Sequence, residues 1–188
     1  AIPISFSVSA QDSNPTLGIE EIIVTARKKD ESIQDVPMAV TAITEQLRES
    51  SVRRIEDIQA FAPNLFINRT PGIASGAAIT IRGVASLESD KSYEPSIGVV
   101  MDGMFLGTSS GVLLDNFDIE RIEVLRGPQG TLFGKNTTGG ILNVIRTPVS
   151  LNEMGADLSL TVGDFGRQDV KAVVQLPIIE DTLGLKVF

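Results

Sequence analysis

The chain of 188 residues contains no cysteine and no histidine. These two absences exclude thiol nucleophiles, histidine general bases and zinc sites built from either ligand. Acid–base chemistry would have to rest on Asp, Glu, Lys or the single tyrosine. Without cysteine there is also no disulfide framework, so an exported form of the chain needs another source of stability.

Long apolar runs and an excess of positive charge are also missing. No stretch of about 18 apolar residues occurs, which excludes a transmembrane helix but not a transmembrane β-strand of about ten alternating residues. The formal net charge of −8 argues against a nucleic-acid partner, because phosphate binding requires a cationic surface. Hydrophobic residues make up 42% of the chain, which is enough for a packed core.

The two ends of the chain have patterns of their own. Residues 1–10 are apolar and end in small residues, which fits a signal peptide without its basic start as well as it fits a flexible tail. Apolar and polar residues alternate over 158–163 and 170–178, and a third such run begins at 183. These runs fit a half-buried antiparallel sheet or a lipid-facing barrel wall. Because the sequence stops inside the third run, we expect the chain to be a fragment.

Between these ends the pattern predicts an α+β fold, with a small mixed sheet and two short helices. Thr44 can cap the first helix. The second helix is indicated by apolar residues at every third position of 52–61, and Pro63 ends it. Strands are expected at residues 22–25, 38–43, 65–68, 78–82, 97–101, 119–125 and 141–145. The small, polar segments 70–76, 84–95 and 103–111 are predicted to be loops.

Five glycines occur among the fifteen residues 126–140, between two of the predicted strands. Glycine is used where the backbone needs a positive φ or a close approach, so this segment specifies a compact and unusual path. Gly134-Lys135 looks like the end of a phosphate-binding loop. However, the upstream glycine of that motif falls on Gln129, and Asn136 occupies the position of the hydroxyl residue. These two mismatches reject a nucleotide-binding loop.

Acidic pairs give no sign of a catalytic site. Glu120 and Glu123 fall on opposite faces of an alternating strand, and Glu56 and Asp57 are an ordinary acidic pair. We interpret both pairs as solvated surface groups, because exposed carboxylates are common. No catalytic residue, metal ligand or cofactor is predicted, and the chain is not expected to be an enzyme.

The glycine-rich segment and the residues that follow it, Ile141-Leu142-Asn143-Val144-Ile145-Arg146-Thr147-Pro148, closely resemble the plug signature of TonB-dependent outer-membrane receptors. Other segments agree in the family's order. Residues 19–26 resemble a TonB box, 35–43 the first plug strand and 55–64 the helix that enters the plug core. Ile81-Arg82-Gly83 and Met101-Asp102-Gly103 match two further plug signatures. The resemblance spans residues 19–188.

The resemblance implies a domain organisation. Residues 1–10 would be the remnant of a signal peptide, 11–34 the TonB box with a flexible lead-in, 35–148 the plug, and 149–188 the first strands of a transmembrane β-barrel. The family's barrel has about 22 strands. With no tryptophan and one tyrosine the chain cannot supply two aromatic girdles, so the barrel would be incomplete here.

The resemblance also implies a coupling segment. Its residues would pair, as a TonB box, with the sheet edge of a periplasmic TonB-type protein that transduces energy. From the residues alone, an ordinary plug strand is an equal alternative. The segment consists of Ile22, Ile23, Val24, Thr25 and Ala26.

Two further sets of residues take roles from the same resemblance. Arg82 and Arg126 would lock the plug to acidic residues on the barrel wall, and the alternative is an ion pair within the plug, for example with Glu123. The three loops, 70–76, 84–95 and 103–111, would face the ligand. For the two aromatic residues, Tyr93 and Phe105, packing inside the domain is the simpler role. The ligand-facing residues would be Thr70, Gly72, Ser86, Tyr93 and Phe105.

The implied function is energy-coupled uptake of a scarce nutrient, such as a ferric siderophore, across the bacterial outer membrane. The partners would be the TonB-type protein, the small-molecule ligand and the membrane. A soluble, exported α+β binding module without a barrel is the alternative from another class. The sequence beyond Phe188 would distinguish the two, and the substrate is left open because the family's specificity rests largely on extracellular barrel loops.

Overall fold

The computed structural model describes residues 21–44, 47, 54–71, 76–85, 94–107, 118–163, 166 and 168–188. Helical structure in this part includes 3₁₀ helices at Ile33–Asp35 and Ile55–Ala60 and a single α-helical turn, α1, at Gly130–Phe133. The strands are β1 (Ile23–Val24), β2 (Glu31–Ser32), β3 (Ala39–Ile43), β4 (Leu65–Arg69), β5 (Ala77–Ile81), β6 (Val84–Ala85), β7 (Ile97–Met101), β8 (Met104–Leu106), β9 (Ile119–Arg126), β10 (Gly140–Arg146), β11 (Gly155–Val162), β12 (Gln168–Ile179) and β13 (Leu183–Val187).

A five-stranded mixed sheet forms the centre of the fold, in the order β3-β9-β10-β7-β8. Strand β10 runs antiparallel to β9 and parallel to β7. Strands β9 and β10 are buried over most of their length. This explains the nearly continuous apolar sequence of β10, whereas β9 also carries four charged residues. The mixed sheet predicted from the sequence is therefore confirmed.

One face of this sheet carries the larger apolar core. It is covered by the three-stranded sheet β4-β5-β6 and by the 3₁₀ helix Ile55–Ala60. Alternate residues of the central strands point into it, including Ile122, Val124 and Leu142. Sixteen of the described residues form this cluster and six form the cluster on the opposite face, so it supplies the larger share of the apolar burial in the described structure.

The opposite face of the sheet carries a smaller apolar cluster under the N-terminal segment. Strands β1 and β2 form a short antiparallel hairpin, with Val24 paired to Glu31. Val24 and Ala26 are fully buried against Val100 and other residues of the sheet. Part of the predicted flexible lead-in, residues 11–34, therefore packs on the central sheet.

The tail of the chain forms a separate three-stranded antiparallel sheet, β11-β12-β13. It touches the preceding segment closely, since a Cβ built on Gly184 would lie 2.8 Å from Val149 Cγ2. Lys186 of β13 also forms an ion pair with Asp118, with the two side chains only 11% and 9% exposed. This antiparallel sheet agrees with the alternating pattern of the sequence.

The structure departs from the predicted elements in two ways. The segment around residue 55 forms a 3₁₀ helix, whose repeat of three residues per turn matches the spacing of its apolar positions. Strands β6 and β8 lie inside segments predicted to be loops, because each pairs with its neighbour through a two-residue turn. The helix predicted after Thr44 lies outside the described residues apart from Leu47, which is helical.

Candidate functional site

Residues 22–26, the candidate coupling segment, lie along the face of the central sheet rather than at its edge. Ile22 and Ile23 are 37% and 42% exposed, whereas Val24 and Ala26 are buried. The hairpin is extended by one bond, in which the Ile33 amide donates to the Ile22 carbonyl over 2.9 Å. The segment therefore presents part of its apolar surface to solvent while its other side chains anchor it.

A buried polar cluster lies directly beneath Thr25. The carboxylate of Glu123, which is 0% exposed, accepts hydrogen bonds from the Thr25 amide (2.7 Å) and hydroxyl (3.1 Å). It also accepts from Arg121 Nε and from Asn143 Nδ2, both at 3.0 Å. Arg121 donates through Nη1 to Glu120 as well, at 2.6 Å. A buried charge requires this kind of pairing, because an unpaired one is costly.

The cluster corrects two interpretations of the sequence. Glu123 is a buried group at the centre of the sheet, so its assignment to the solvated surface is wrong. Thr25 and Arg121 donate to its Oε1 and Asn143 donates to its Oε2, and the alternative of an ion pair between Glu123 and Arg126 is wrong too. The sequence contains one weak signal that points to this role: Glu123 lies directly between the apolar residues Ile122 and Val124.

An ion pair closes the turn of the β1–β2 hairpin. Arg27 donates two hydrogen bonds of 2.6 Å to the carboxylate of Glu31, and Lys29 lies 3.0 Å from the same group. The hydrogen bond from Arg27 lowers the pKa of Glu31 to about 2 from its ordinary value of 4.5. The carboxylate is therefore ionised at any physiological pH, and the turn keeps its ion pair.

A groove of about 420 Å³ runs beside the hairpin. The Lys28 ammonium lies 5.2 Å from the centre of the Phe133 ring, which is a cation–π contact between the turn and α1. The groove is lined by Thr25, Lys28, Val100, Asp102, Gly103, Phe133, Asn143 and Ile145. Among the described residues, no group of three acidic side chains is placed to hold a metal ion.

Arg82 and Arg126 lie together at the opposite end of the central sheet from the Asp102 turn. Arg82 occupies the first position of a two-residue turn with a φ of 50°, a left-handed conformation that is uncommon for arginine. Burial lowers the pKa of Arg126, and the nearby charge of Arg82 lowers it further. Arg126 donates to the Thr41 hydroxyl over 2.8 Å, and no carboxylate in the described part of the chain pairs with either guanidinium.

The glycine-rich segment takes a tight path from β9 through α1 to β10. Gly140 has a φ of 146°, and a Cβ built on it would lie 2.4 Å from the Leu125 carbonyl oxygen, so no larger residue fits. Lys135 is exposed and pairs with Glu94, which agrees with the rejection of a phosphate-binding loop. The glycines thus allow the backbone to pack closely, as the sequence indicated.

The predicted ligand-facing residues do not form one cluster in the described structure. The Thr70 amide donates to the Gly76 carbonyl over 3.0 Å, in the turn between β4 and β5. Phe105 belongs to β8 and packs against the smaller apolar cluster, so its assignment to a loop is wrong. Gly72, Ser86 and Tyr93 lie outside the described residues.

A comparison of the sequence with protein-family models matches residues 32–141, more than half of the chain, to the TonB-dependent receptor plug domain. Among curated proteins, the vitamin B12 transporter BtuB of Vibrio vulnificus is 26% identical over 155 residues, which cover 80% of this chain and 24% of that protein. The pesticin receptor of Yersinia pestis is 32% identical over 127 residues, which cover 66% of this chain and 18% of that protein. The chain spans a quarter or less of the length of these relatives.

Solved structures agree with the sequence comparison. The ferric yersiniabactin uptake receptor FyuA from Yersinia pestis superposes with a TM-score of 0.66 at 26% identity, over 75% of this chain and 22% of FyuA. The siderophore receptor PiuA from Acinetobacter baumannii gives a TM-score of 0.63 at 21% identity, over 79% of this chain and 20% of PiuA, and supports the fold alone. The relatives are receptors and transporters rather than enzymes. The chain belongs to the TonB-dependent receptor family and contains its plug domain.

Proposed function

We propose that this chain is the plug and the beginning of the barrel wall of an outer-membrane receptor that imports a scarce nutrient. The family match over residues 32–141 is the observation that supports this most directly. Relatives named for vitamin B12 and for ferric yersiniabactin suggest a metal-containing small molecule, such as a ferric siderophore, as the substrate class. The same match favours the receptor over a soluble binding module.

The tail sheet supports a lipid-facing wall. The described side chains on one face of β11, β12 and β13 are apolar and exposed, whereas Val173 on the other face of β12 is 4% exposed. Exposed apolar residues at alternate positions suit contact with lipid, which carries no penalty for them. The exposed apolar residues are Leu158, Leu160, Val162, Val170, Val174, Leu176, Ile178, Leu183, Leu185 and Val187. Residues 149–188 would thus begin a barrel around the plug of residues 35–148.

The candidate coupling segment would act by pairing with a periplasmic TonB-type protein. Strand β1 is bonded on one side to β2, and its partly exposed residues Ile22 and Ile23 are available to a partner strand. Backbone hydrogen bonds to such a strand would give affinity, and the alternating side chains would set the register. The pull of the partner would then be transmitted to the plug through Val24 and Ala26.

The two arginines would lock the plug to the barrel wall. Arg126 is partly buried next to Arg82, and neither has an acidic partner in the described part of the chain. Two neighbouring positive charges are stabilised by a shared carboxylate, and the unusual φ of Arg82 is the kind of strain that a functional contact retains. Acidic residues of the barrel interior would supply that carboxylate. Thr70, Gly72, Ser86 and Tyr93 are proposed to face the ligand.

The experiment that tests this function deletes residues 21–26 from the full-length receptor in its native outer membrane. Energised uptake of radio-iron carried by hydroxamate and catecholate siderophores, and of labelled cyanocobalamin, should be lost, while binding of the transported probe to de-energised cells stays intact. A deletion of the same length, residues 11–16, is the control and should leave uptake unchanged. Uptake that survives the first deletion, or binding that is lost with it, would contradict the proposal.

A further inference from the structure

The carboxylate of Glu123 holds residues 22–26 against the plug through two hydrogen bonds to a single residue, Thr25. We propose that Glu123 is a latch for the coupling segment, and that its contact with Thr25 sets how readily the segment is released to its periplasmic partner. The inference rests on the coupling role proposed above for this segment. It assigns to Glu123, Arg121 and Asn143 a positioning role toward that segment.

The latch is built into two central strands of the sheet. Glu123 and Asn143 face each other across the antiparallel pair β9–β10, at the centre of the five-stranded sheet. Arg121 lies two residues before Glu123 and donates to the same oxygen that accepts from Thr25. We expect these three groups to stay in place when the segment leaves, because their strands pair with other strands of the central sheet and not with the segment. Thr25 is the member of the cluster that comes from outside the sheet.

Few other contacts join the hairpin to the sheet in the described structure. The β1–β2 pairing and the Ile33–Ile22 bond lie within the N-terminal segment and do not attach it. Attachment comes from the small buried side chains Val24 and Ala26, from the Lys28–Phe133 contact, and from a longer hydrogen bond of 3.3 Å that Asn143 Nδ2 donates to the Thr25 hydroxyl. A charge-assisted hydrogen bond of 2.7 Å is stronger than a neutral one, so the Thr25–Glu123 contact is a principal polar attachment.

The chemistry of the cluster favours reversible release. When Thr25 leaves, Glu123 keeps its bonds to Arg121 and Asn143, and water can replace the two lost donors. The charge is therefore never left unpaired, which would make release prohibitively costly. A purely apolar contact would give no such directional attachment, and the register of Thr25 over the sheet would be less well defined.

The test uses cysteine alkylation to measure the exposure of position 26. Ala26 lies within the segment and is 0% exposed against the sheet. The 188 residues contain no cysteine, so Ala26→Cys introduces a unique thiol into this part of the receptor. Ala62→Cys, at a site 1% exposed in the larger core, is the matched control for general loosening. Each cysteine substitution is made in the full-length receptor twice, once with Glu123 and once with Glu123→Gln. The receptors are alkylated in outer-membrane vesicles, and the modified peptides are quantified by mass spectrometry.

Glu123→Gln keeps the shape of the side chain but removes its charge. We expect the alkylation rate at position 26 to rise about tenfold or more, which corresponds to about 1.4 kcal/mol, while the rate at position 62 is unchanged. Thr25→Val removes the hydroxyl, which donates to Glu123 and accepts from Asn143, but keeps the shorter amide bond to Glu123, so it should give a smaller rise of about two- to fivefold. If Glu123→Gln does not reach the membrane, Thr25→Val alone tests the proposal. Equal rates with and without the substitutions, or equal rises at both positions, would overturn the latch.

A second measurement separates the latch from the coupling role. If the partner binds only the released segment, the apparent Kd of the purified periplasmic domain of the TonB-type protein should fall by the same factor as the alkylation rate rises. Faster alkylation at position 26 with no change in that Kd supports the latch and contradicts the coupling role. An unchanged alkylation rate contradicts the latch whatever the Kd does.

Discussion

Lys186 joins the tail sheet to the plug, and its replacement should loosen both. Its ammonium group lies 2.5 Å from Asp118 Oδ1 at the start of β9 and 2.8 Å from the carbonyl oxygen of Thr147, just after β10. We predict that Lys186→Met destabilises this junction, because it leaves Asp118 with a buried and unpaired negative charge. Methionine keeps the apolar stem of the side chain, so the change isolates the charge.

The expected loss of stability follows from the burial of the two side chains. Because Lys186 and Asp118 are 11% and 9% exposed, removal of one partner falls in the range of about 3–5 kcal/mol found for buried pairs. The ion pair of Lys135 with Glu94 is the matched control, since its side chains are 77% and 62% exposed. Loss of such a surface pair costs about 0–1 kcal/mol.

Hydrogen–deuterium exchange of the full-length receptor in detergent, measured by mass spectrometry, distinguishes the loss of the buried ion pair from the loss of the exposed one. A loss of about 3 kcal/mol corresponds to exchange more than about 100-fold faster in the peptides that cover β13 and Thr147. Lys135→Met should raise the exchange rate of the peptides that cover residue 135 by less than about fivefold. Adding Asp118→Asn, which suits the φ of 60° at that position, should restore most of the protection. The argument fails if Lys186→Met exchanges no faster than Lys135→Met.

Three further predictions concern the plug. Gly140→Ala should remove the folded receptor from outer-membrane preparations, because the new Cβ would collide with the Leu125 carbonyl oxygen. Gly130→Ala is the control and should leave the receptor in place, because the space around Gly130 is open. Immunoblots measure the amount of receptor, and an equal loss in both variants would contradict this prediction. Glu31 stabilises the hairpin fully above about pH 4.5 and loses this effect as pH falls towards 2. The protection of the Val24 amide, measured relative to its intrinsic exchange rate at each pH, should therefore fall over that interval in the wild type but not in Glu31→Gln. Arg82→Gln and Arg126→Gln should give non-additive losses of plug protection if both serve shared carboxylates; additive losses would contradict this.

The sequence predicts the strands of the plug better than it predicts what covers them. Alternation and apolar runs located β7 at its observed bounds, and β9 and β10 within one residue at each end. These signals are local, because each strand's own residues must suit the two faces of a sheet. The three-residue spacing around Ile58 was also informative, but its period indicates a 3₁₀ helix rather than an α-helix.

The role of Glu123 could not be predicted because it depends on a contact 98 residues away in the chain. Alternation assigns Glu123 to one face of β9, and whether that face is solvated depends on what packs over it. Here the cover is the N-terminal segment, which composition alone indicated as a flexible lead-in. Arg126 is a similar case, because its hydrogen-bond partner Thr41 lies 85 residues away in the chain, on the neighbouring strand β3, and the described residues offer it no acidic partner.

The two faces of the central sheet differ in a way that bears on how the plug would respond to a pull. Among the described residues, one face is held by a cluster of sixteen buried apolar residues, and the other by six, together with the polar cluster of Glu123. Local opening follows the smallest number of buried apolar contacts, so the N-terminal layer is the one that separates first. Force applied at Ile22 and Ile23 would act on that layer directly, through Thr25 and its two bonds to Glu123. We therefore expect the β1–β2 hairpin to detach from the sheet while the larger core, on the opposite face, stays folded.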